Sequence, residues 1–246
     1  MNHVYVAIMA GGIGSRFWPA SRVNKPKQFL DILDTGKTLI QSTYERFLKI
    51  APKDNIFIVT NEAYVDLLLQ QIPDMDPSHI LAEPMRRNTA PCIAYVSHKI
   101  ASIDPEANMI VAPSDHLILN EQKFIEVMHI ALSYTQQRND LVTLGIKPTR
   151  PDTGYGYIQY DDFEIMPGIH KVKTFTEKPD LQLAMTFISS GEFLWNSGIF
   201  IWNVKSILNA FDIYMQDTNQ AFWAARKFFG KAEEAAAVEK AYSLCT

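Results

Sequence analysis

Val4-Tyr5-Val6-Ala7-Ile8-Met9-Ala10-Gly11-Gly12-Ile13-Gly14-Ser15-Arg16, continued by Phe17-Trp18-Pro19-Ala20-Ser21-Arg22-Val23-Asn24-Lys25-Pro26-Lys27-Gln28, joins a short apolar run to a glycine-rich turn and a basic loop. Val4 to Ile8 reads as a buried first strand. The glycines after it let a backbone approach a ligand more closely than any side chain allows. Arg16, Arg22, Lys25 and Lys27 follow within twelve residues, with no acid between them. An anionic ligand, held by glycine amides and neutralised by cations, suits both parts of the stretch. On the glycines alone, a plain turn between a strand and a surface loop is an equal reading, since turns commonly use Gly.

Two familiar glycine loops are excluded by spacing. A dinucleotide fingerprint starting at Gly12 and Gly14 requires a third glycine where Phe17 stands, and a triphosphate P-loop requires a Lys-Ser or Lys-Thr pair that neither Gly11 nor Gly12 precedes. What remains is a long basic loop of a different kind.

Working outward, the chain has 246 residues, 47% apolar and 20% charged, enough for a sizeable core. A net charge of −4, with the positive charge gathered in one loop, argues against nucleic acid and for phosphate on a small molecule. Cys92 and Cys245 stand far apart in no metal spacing, which predicts free thiols and a cytoplasmic protein. No stretch approaches the roughly 18 apolar residues of a membrane span, so no membrane partner is expected.

Downstream, strands and helices alternate. Thr38 and Gln41 have capping-box spacing ahead of a helix whose Leu39, Tyr44, Phe47 and Leu48 share a face, and Pro52 stops it. Asn55 to Val59 reads as a strand, Asn61 as the cap of a second helix, and His79 to Ala82 as a third strand. The polar segment Glu83 to Thr89 leads into a helix from about Pro91 to Ile103, then a strand at Asn108 to Ala112, a helix from Glu121 to Arg138, and a strand at Leu141 to Leu144. This predicts an α/β fold, Rossmann-like, with a mostly parallel sheet and helices on both faces. Ligands in such sheets sit at the carboxyl ends of the strands, where the basic loop, Glu83 to Thr89, and Pro113-Ser114-Asp115-His116 are expected to converge. From about Lys147, frequent Pro and Gly predict an antiparallel hairpin excursion, with strands near Tyr155 to Tyr160 and Ile169 to Phe175. Asp180 is expected to cap a helix ending at Gly191, Trp195 to Trp202 to form a further strand, and the remainder to be mostly helical.

Asp115, ending a buried strand at the ligand edge, is the candidate metal ligand, because a carboxylate there can hold Mg²⁺ against phosphate oxygens. An Asp after a strand is otherwise a turn or cap residue. His116 is given a structural role, since a phosphate nucleophile is already ionised near neutral pH and needs no base. Glu177 and Lys178, adjacent in an extended segment, are expected on opposite faces, the acid for sugar hydroxyls and the base for a phosphate. Trp195-Asn196-Ser197-Gly198 offers an aromatic platform, an amide and a glycine, a set suited to a polyol but also to a turn. Tyr155 and Tyr157 around Gly156 are equally readable as packing residues.

Together, Gly11 to Arg16 with Pro19 and Lys25-Pro26-Lys27-Gln28, Glu83-Pro84 with Arg87-Asn88-Thr89-Ala90-Pro91, Pro113 to His116, Thr153 to Ile158, Phe175 to Pro179 and Trp195 to Phe200 resemble the mannose-1-phosphate guanylyltransferase, or GDP-mannose pyrophosphorylase, family. The resemblance spans Val4 to about Trp202. It implies a sugar nucleotidyltransferase, GT-A-like fold and a reaction in which mannose 1-phosphate attacks the α-phosphorus of GTP, with Mg²⁺ assisting. By the same resemblance Arg16, Lys27 and Asp115 are catalytic, with Asp115 on the metal. The amides of Gly11, Gly12 and Gly14, with Ser15, hold the triphosphate, and Glu83 and Asn88 take the guanine side. Gly156, Glu177, Lys178 and Asn196 surround mannose 1-phosphate.

Family members continue into a Ser-Ile-Asp motif bearing a second metal-binding Asp, and then into a β-helical segment associated with assembly. The chain is therefore read as a catalytic domain, 1–246, shortened at its C-terminus, with weakened metal binding and turnover, and a homo-oligomer is left open. The competing readings are a related enzyme for another sugar or base and a catalytically weak nucleotide-sugar binding subunit.

Overall fold

Val4–Met9 forms β1, five of its six residues buried, as expected of a strand covered on both sides. A computed structural model describes residues 3–12, 14 and 17–245. The chain divides into two compact units, Met1–Leu141 with Ile201–Thr246, and Val142–Phe200.

In the first unit β1 is followed by α1 (Leu39–Phe47), β2 (Ile56–Asn61), α2 (Val65–Gln71), β3 (Ile80–Glu83), α3 (Thr89–Ile103), β4 (Asn108–Pro113) and α4 (Glu121–Thr135). The strands lie in the order β3-β2-β1-β4, every neighbour parallel, with Val6 opposite Ile56 on one side and Ile110 on the other. The order reverses between β1 and β4: the chain first builds away from β1 through β2 and β3, then returns to place β4 on its free edge. Such a switch point leaves a crevice at the strand carboxyl ends. The glycine turn follows β1 there and Asp115 follows β4, with Met9 opposite Pro113 in register.

Local signals explain most boundaries. The Thr38 N–H donates to Gln41 Oε1 at 2.8 Å, closing the reciprocal contact of a capping box. Asn61 Oδ1 accepts from Ala63 N at 3.1 Å. Leu48 corrects the expected α1 face: it lies beyond the helix end and is exposed, while Leu39, Tyr44 and Phe47 are buried. α3 begins two residues before Pro91, which is tolerated in a first turn whose N–H groups lack intrahelical partners.

The second unit contains β5 (Val142–Ile146), β6 (Tyr157–Met166), β7 (Ile169–Thr176), α5 (Leu181–Ser190) and most of β8 (Phe193–Asn203). β6 pairs antiparallel with both β7 and β8, and β5 pairs with β8. The β6–β7 hairpin is longer than Tyr155 to Phe175 suggests, because register shifts along the pair carry it on to Met166 and a turn at Gly168. Asp180 Oδ1 accepts from Leu183 N at 2.8 Å and Gly191, at φ +74°, ends α5 in the left-handed conformation. Its core is Tyr157, Ala184 and Trp195, joined by Phe187, Ile188 and Phe193.

The chain returns to the first unit with α6 (Val204–Tyr214), α7 (Gln216–Ala225) and α8 (Glu234–Leu244). Tyr95 of α3 stacks on Phe222 of α7 at 5.8 Å, and Tyr242 of α8 meets Phe222 edge-on at 5.4 Å. Among the described residues no helix is long and apolar enough to cross a membrane. Cys92 and Cys245 are free and buried.

Candidate active site

The glycine turn is fastened from below. Gln28 Nε2 donates to Ala10 O at 2.7 Å and to Gly12 O at 2.9 Å, and Ser21 Oγ donates to Gly14 O at 2.6 Å. Gln28 is buried, so these bonds form where water cannot replace them. Gly14 sits at φ +62°, and a Cβ there would lie 2.7 Å from Lys27 Cβ and 2.9 Å from Lys27 N. Glycine is required on both counts. Lys27 then reaches Asp115, Nζ to Oδ2 at 3.4 Å, with its ammonium 4.4 Å from the centre of the Phe17 ring. A cation from the first loop and an acid from the end of β4 thus meet at the switch point.

His116 stands beside that pair. Burial pushes its imidazole down from the usual histidine range, Asp115 pulls it up, and Lys27 and Arg46 push it down again. A neutral ring at physiological pH fits a structural role better than that of a charged catalyst.

Gly11, Gly12, Glu83 and Asn88 line one cleft of about 370 Å³, with Met9, Arg86, Arg87, Thr89 and Cys92. Asn88 has φ +60°, uncommon for a residue with a side chain, and stands immediately before α3. Sequence reasoning passed over Arg86, whose Nη2 donates to Tyr64 OH at 3.1 Å, and used Arg87 and Gln28 only as parts of a motif. Arg87 and Gln28 carried a signal in their motifs; Arg86 had none beyond its charge. Ser15 and Arg16 lie outside the described residues.

Glu83 is only 8% exposed. Tyr242 OH donates to its Oε1 at 2.9 Å, and its Oε2 lies 2.7 Å from where a Cβ on Gly11 would stand. Burial pushes the carboxyl up from 4.5 to about 7, against the Tyr242 hydrogen bond and the Arg86 charge, which both pull it down. An acid whose folded pKa is raised keeps its proton in the native state after the unfolded chain has lost it. Stability is therefore full below pH 4.5, falls as pH rises, and levels off above about 7. The whole loss is roughly 3 kcal/mol. In Glu83→Gln that loss is absent, so the unfolding free energy of the variant relative to the parent should swing by roughly this amount in its favour between pH 4.5 and 8. Urea titrations across the range read the swing; parallel curves would refute the burial argument.

In the second unit, Gly156 O accepts from Asn196 N at 2.8 Å, and a Cβ on Gly156 would lie 2.7 Å from Glu177 Oε2. Gly156, Glu177 and Asn196 are thus neighbours. Asn196 Oδ1 accepts from Thr143 Oγ1 at 3.0 Å and from Gly198 N at 3.1 Å, so the amide oxygen is committed to the protein.

Two expectations change here. β7 ends at Thr176, Lys178 turns to φ +44°, and its Nζ folds onto Glu177 Oε1 at 2.9 Å, so the two side chains meet instead of facing apart. Trp195 belongs to the core; Tyr155, its ring tilted against the indole at 5.0 Å between centroids, and Arg150, 5.5 Å over the indole, are the groups beside it. Inward alternation along β8 accounts for this.

Comparison with known proteins agrees with this layout. Residues 5–235 match the family described as nucleotidyl transferase. The chain is 37% identical over 232 residues to the xanthan biosynthesis protein XanB of Xanthomonas campestris, covering 92% of the chain and 48% of that protein. It is 36% identical over 218 residues to a mannose-1-phosphate guanylyltransferase of Escherichia coli, covering 85% and 46%. The crystal structure described as mannose-1-phosphate geranyltransferase from Thermus thermophilus superposes with a TM-score of 0.85 at 28% identity, over 98% of the chain and 67% of that structure. The chain spans about half the length of the curated relatives it matches. With a parallel sheet, a basic glycine turn at its switch point and a family match over nearly all of its residues, the chain belongs to the nucleotidyl transferase family.

Proposed function

We propose that the chain transfers GMP from GTP to mannose 1-phosphate, releasing GDP-mannose and pyrophosphate in the cytoplasm. The observation that carries this is the Lys27–Asp115 pair beside Gly14, at the point where the strand order reverses. One oxygen of mannose 1-phosphate forms a bond to the α-phosphorus as the bond to the bridging oxygen of pyrophosphate breaks. No covalent enzyme intermediate is needed, so the protein's task is alignment and charge stabilisation.

In this reading the amides of Gly11, Gly12 and Gly14, with Ser15, cradle the triphosphate. Arg16 and Lys27 balance charge on the phosphoryl oxygens and the leaving pyrophosphate, Arg by bidentate contact and Lys as a point charge. Glu83 and Asn88 take the guanine, whose adjacent N1–H and N2–H₂ donors match an ionised carboxylate. Gly156, Glu177 and Asn196 receive the sugar, and Lys178 its phosphate.

Among the described residues no group of three or more His, Cys, Asp or Glu could hold a metal. Mg²⁺ does not need such a cage, since it keeps waters and binds through one or two carboxylates plus substrate phosphates, a donor set that Asp115 and a triphosphate complete. When bound it would polarise the phosphoryl oxygens.

Pyrophosphate release over a panel of nucleoside triphosphates and sugar 1-phosphates tests the proposal, with GTP and mannose 1-phosphate expected to be the preferred pair. Preference for another sugar would end it. Binding without turnover would favour a nucleotide-sugar binding subunit instead.

The sugar half carries its own prediction. A methyl group at residue 156 meets mainly the tip of the exposed Glu177 side chain and the Phe175 ring edge, so Gly156→Ala displaces Glu177 at little cost to folding. The KM for mannose 1-phosphate should rise about tenfold, the loss of one charged hydrogen bond, while the KM for GTP stays put. Equal changes in both constants would count against the assignment.

A further inference from the structure

Glu83 is a buried acid at the wall of the nucleotide cleft, and one side chain far away in sequence determines how it is held. Tyr242, on α8, is fully buried and its hydroxyl donates to Glu83 Oε1 at 2.9 Å. The ring cannot withdraw, since it is packed edge-on against both Tyr95 and Phe222. At the other end of the carboxyl, Oε2 is set against Gly11. The backbone of Glu83 is tied as well, Asn61 Nδ2 donating to its carbonyl at 3.3 Å. The carboxyl plane is therefore fixed by a hydroxyl from the last helix and a glycine from the first loop.

We propose that Tyr242 is a positioning residue for guanine selection: its hydroxyl fixes the plane in which the Glu83 carboxyl meets the two guanine donors. This rests on the assignment of Glu83 to the guanine side. A hydroxyl donor stabilises a carboxylate more than a neutral acid, and burial works against it. The titratable and charged groups facing Glu83 are Tyr242 from α8, Arg86 from the loop after β3 and Cys92 from α3. Burial and the neighbouring acid push Cys92 well up, and burial, Glu83 and Cys92 do the same to Tyr242. Cys92 and Tyr242 therefore stay neutral across the accessible range, which leaves Glu83 as the acid of this cluster that titrates there. The chemical consequence is selectivity. An ionised acid held in one plane accepts two parallel hydrogen bonds from guanine, whereas adenine presents a ring nitrogen acceptor where guanine has N1–H, and that acceptor opposes the carboxylate.

The test uses calorimetric affinities of the chain for GTP and ATP from pH 5.5 to 8.5, with Glu83→Gln as the pH reference because the γ-phosphate also titrates. Relative to that reference, GTP affinity should rise with pH through about 7, where Glu83 loses its proton. Tyr242→Phe keeps the ring and removes the hydroxyl. It should weaken GTP at pH 7 by about tenfold, move the midpoint upward and lower the GTP-to-ATP ratio. All three effects should vanish when Tyr242→Phe is made in the Glu83→Gln background.

Tyr95→Phe is the packing control. It removes another buried hydroxyl from the same aromatic cluster, one bonded to Glu234 at 3.1 Å, and should change neither midpoint nor ratio. An unchanged midpoint and ratio in Tyr242→Phe, or equal effects from Tyr95→Phe, would overturn the inference. Should Tyr242→Phe not fold, a pH profile of the parent identical to that of Glu83→Gln overturns it equally. Failure of the wider reading looks different: the parent itself then shows no preference for GTP over ATP.

Discussion

Lys27→Ala should lower the rate of GMP transfer by about a hundredfold or more, the scale set by removing one preorganised charge-stabilising donor from a transition state. Lys27 leaves a short turn anchored by Gln28 and the buried Phe29, so its backbone is fixed while the ammonium end projects beside Asp115. That geometry suits a charge which meets the triphosphate as negative charge moves onto the leaving pyrophosphate. The loss should fall mainly on kcat, because the contact strengthens as charge develops. Folding should hardly notice the change, since Lys27 and Asp115 are 23% and 36% exposed and solvent screens the pair. Lys25→Ala separates a specific contact from a diffuse positive field: Lys25 is an exposed residue of the same loop, and its removal should cost no more than about threefold through the altered field. Initial-rate measurements decide, and equal losses from the two variants would sink the assignment.

The first-unit fold was legible because parallel strands covered on both sides read as continuous apolar runs. β1 to β4 were each found within two residues, and their shared direction made the glycine turn, the segment after Glu83 and Asp115 converge before any distance was known. Residue type identified Lys27 and Asp115 as chemistry-bearing, but their meeting could not be read, since nothing in an amino-acid string fixes contact between residues that far apart. Glu83 shows the limit more sharply. Its burial depends on Tyr242, 159 positions later, in a helix that carried no motif. The opposite faces expected of Glu177 and Lys178 failed for a local reason: alternation holds only while a strand continues, and β7 stops one residue earlier. Trp195 was misplaced for the opposite reason. Strand alternation does continue through it and turns the indole inward with Tyr157 and Ala184, leaving the exposed edge to Tyr155.

Gly14→Ala should be damaging to both fold and site, costing about 2 kcal/mol of stability and most of the GTP affinity. Two independent penalties combine. At φ +62° an L side chain sits in the left-handed region, and the new Cβ would stand 2.9 Å from the Lys27 backbone nitrogen. Neither partner can yield cheaply. Lys27 opens the turn whose Gln28 holds Ala10 and Gly12 and whose Phe29 is fully buried against Tyr64 at 5.9 Å between ring centres. Gly14 in turn accepts from Ser21 and from Phe17 N. The strain must therefore open the glycine turn or push Lys27 away from Asp115, and either displaces a proposed triphosphate contact. Gly12→Ala is the informative comparison, because among the described residues a Cβ there meets nothing within 4 Å and the backbone carries no positive φ. Its unfolding midpoint should match that of the parent, so any loss of GTP affinity in Gly12→Ala measures how closely the ligand itself approaches the backbone. If Gly12→Ala keeps both stability and affinity while Gly14→Ala loses both, the turn acts through its shape, and the triphosphate does not lie where a Cβ on residue 12 would stand. If Gly12→Ala loses affinity alone, the open space above it is where the phosphate lies.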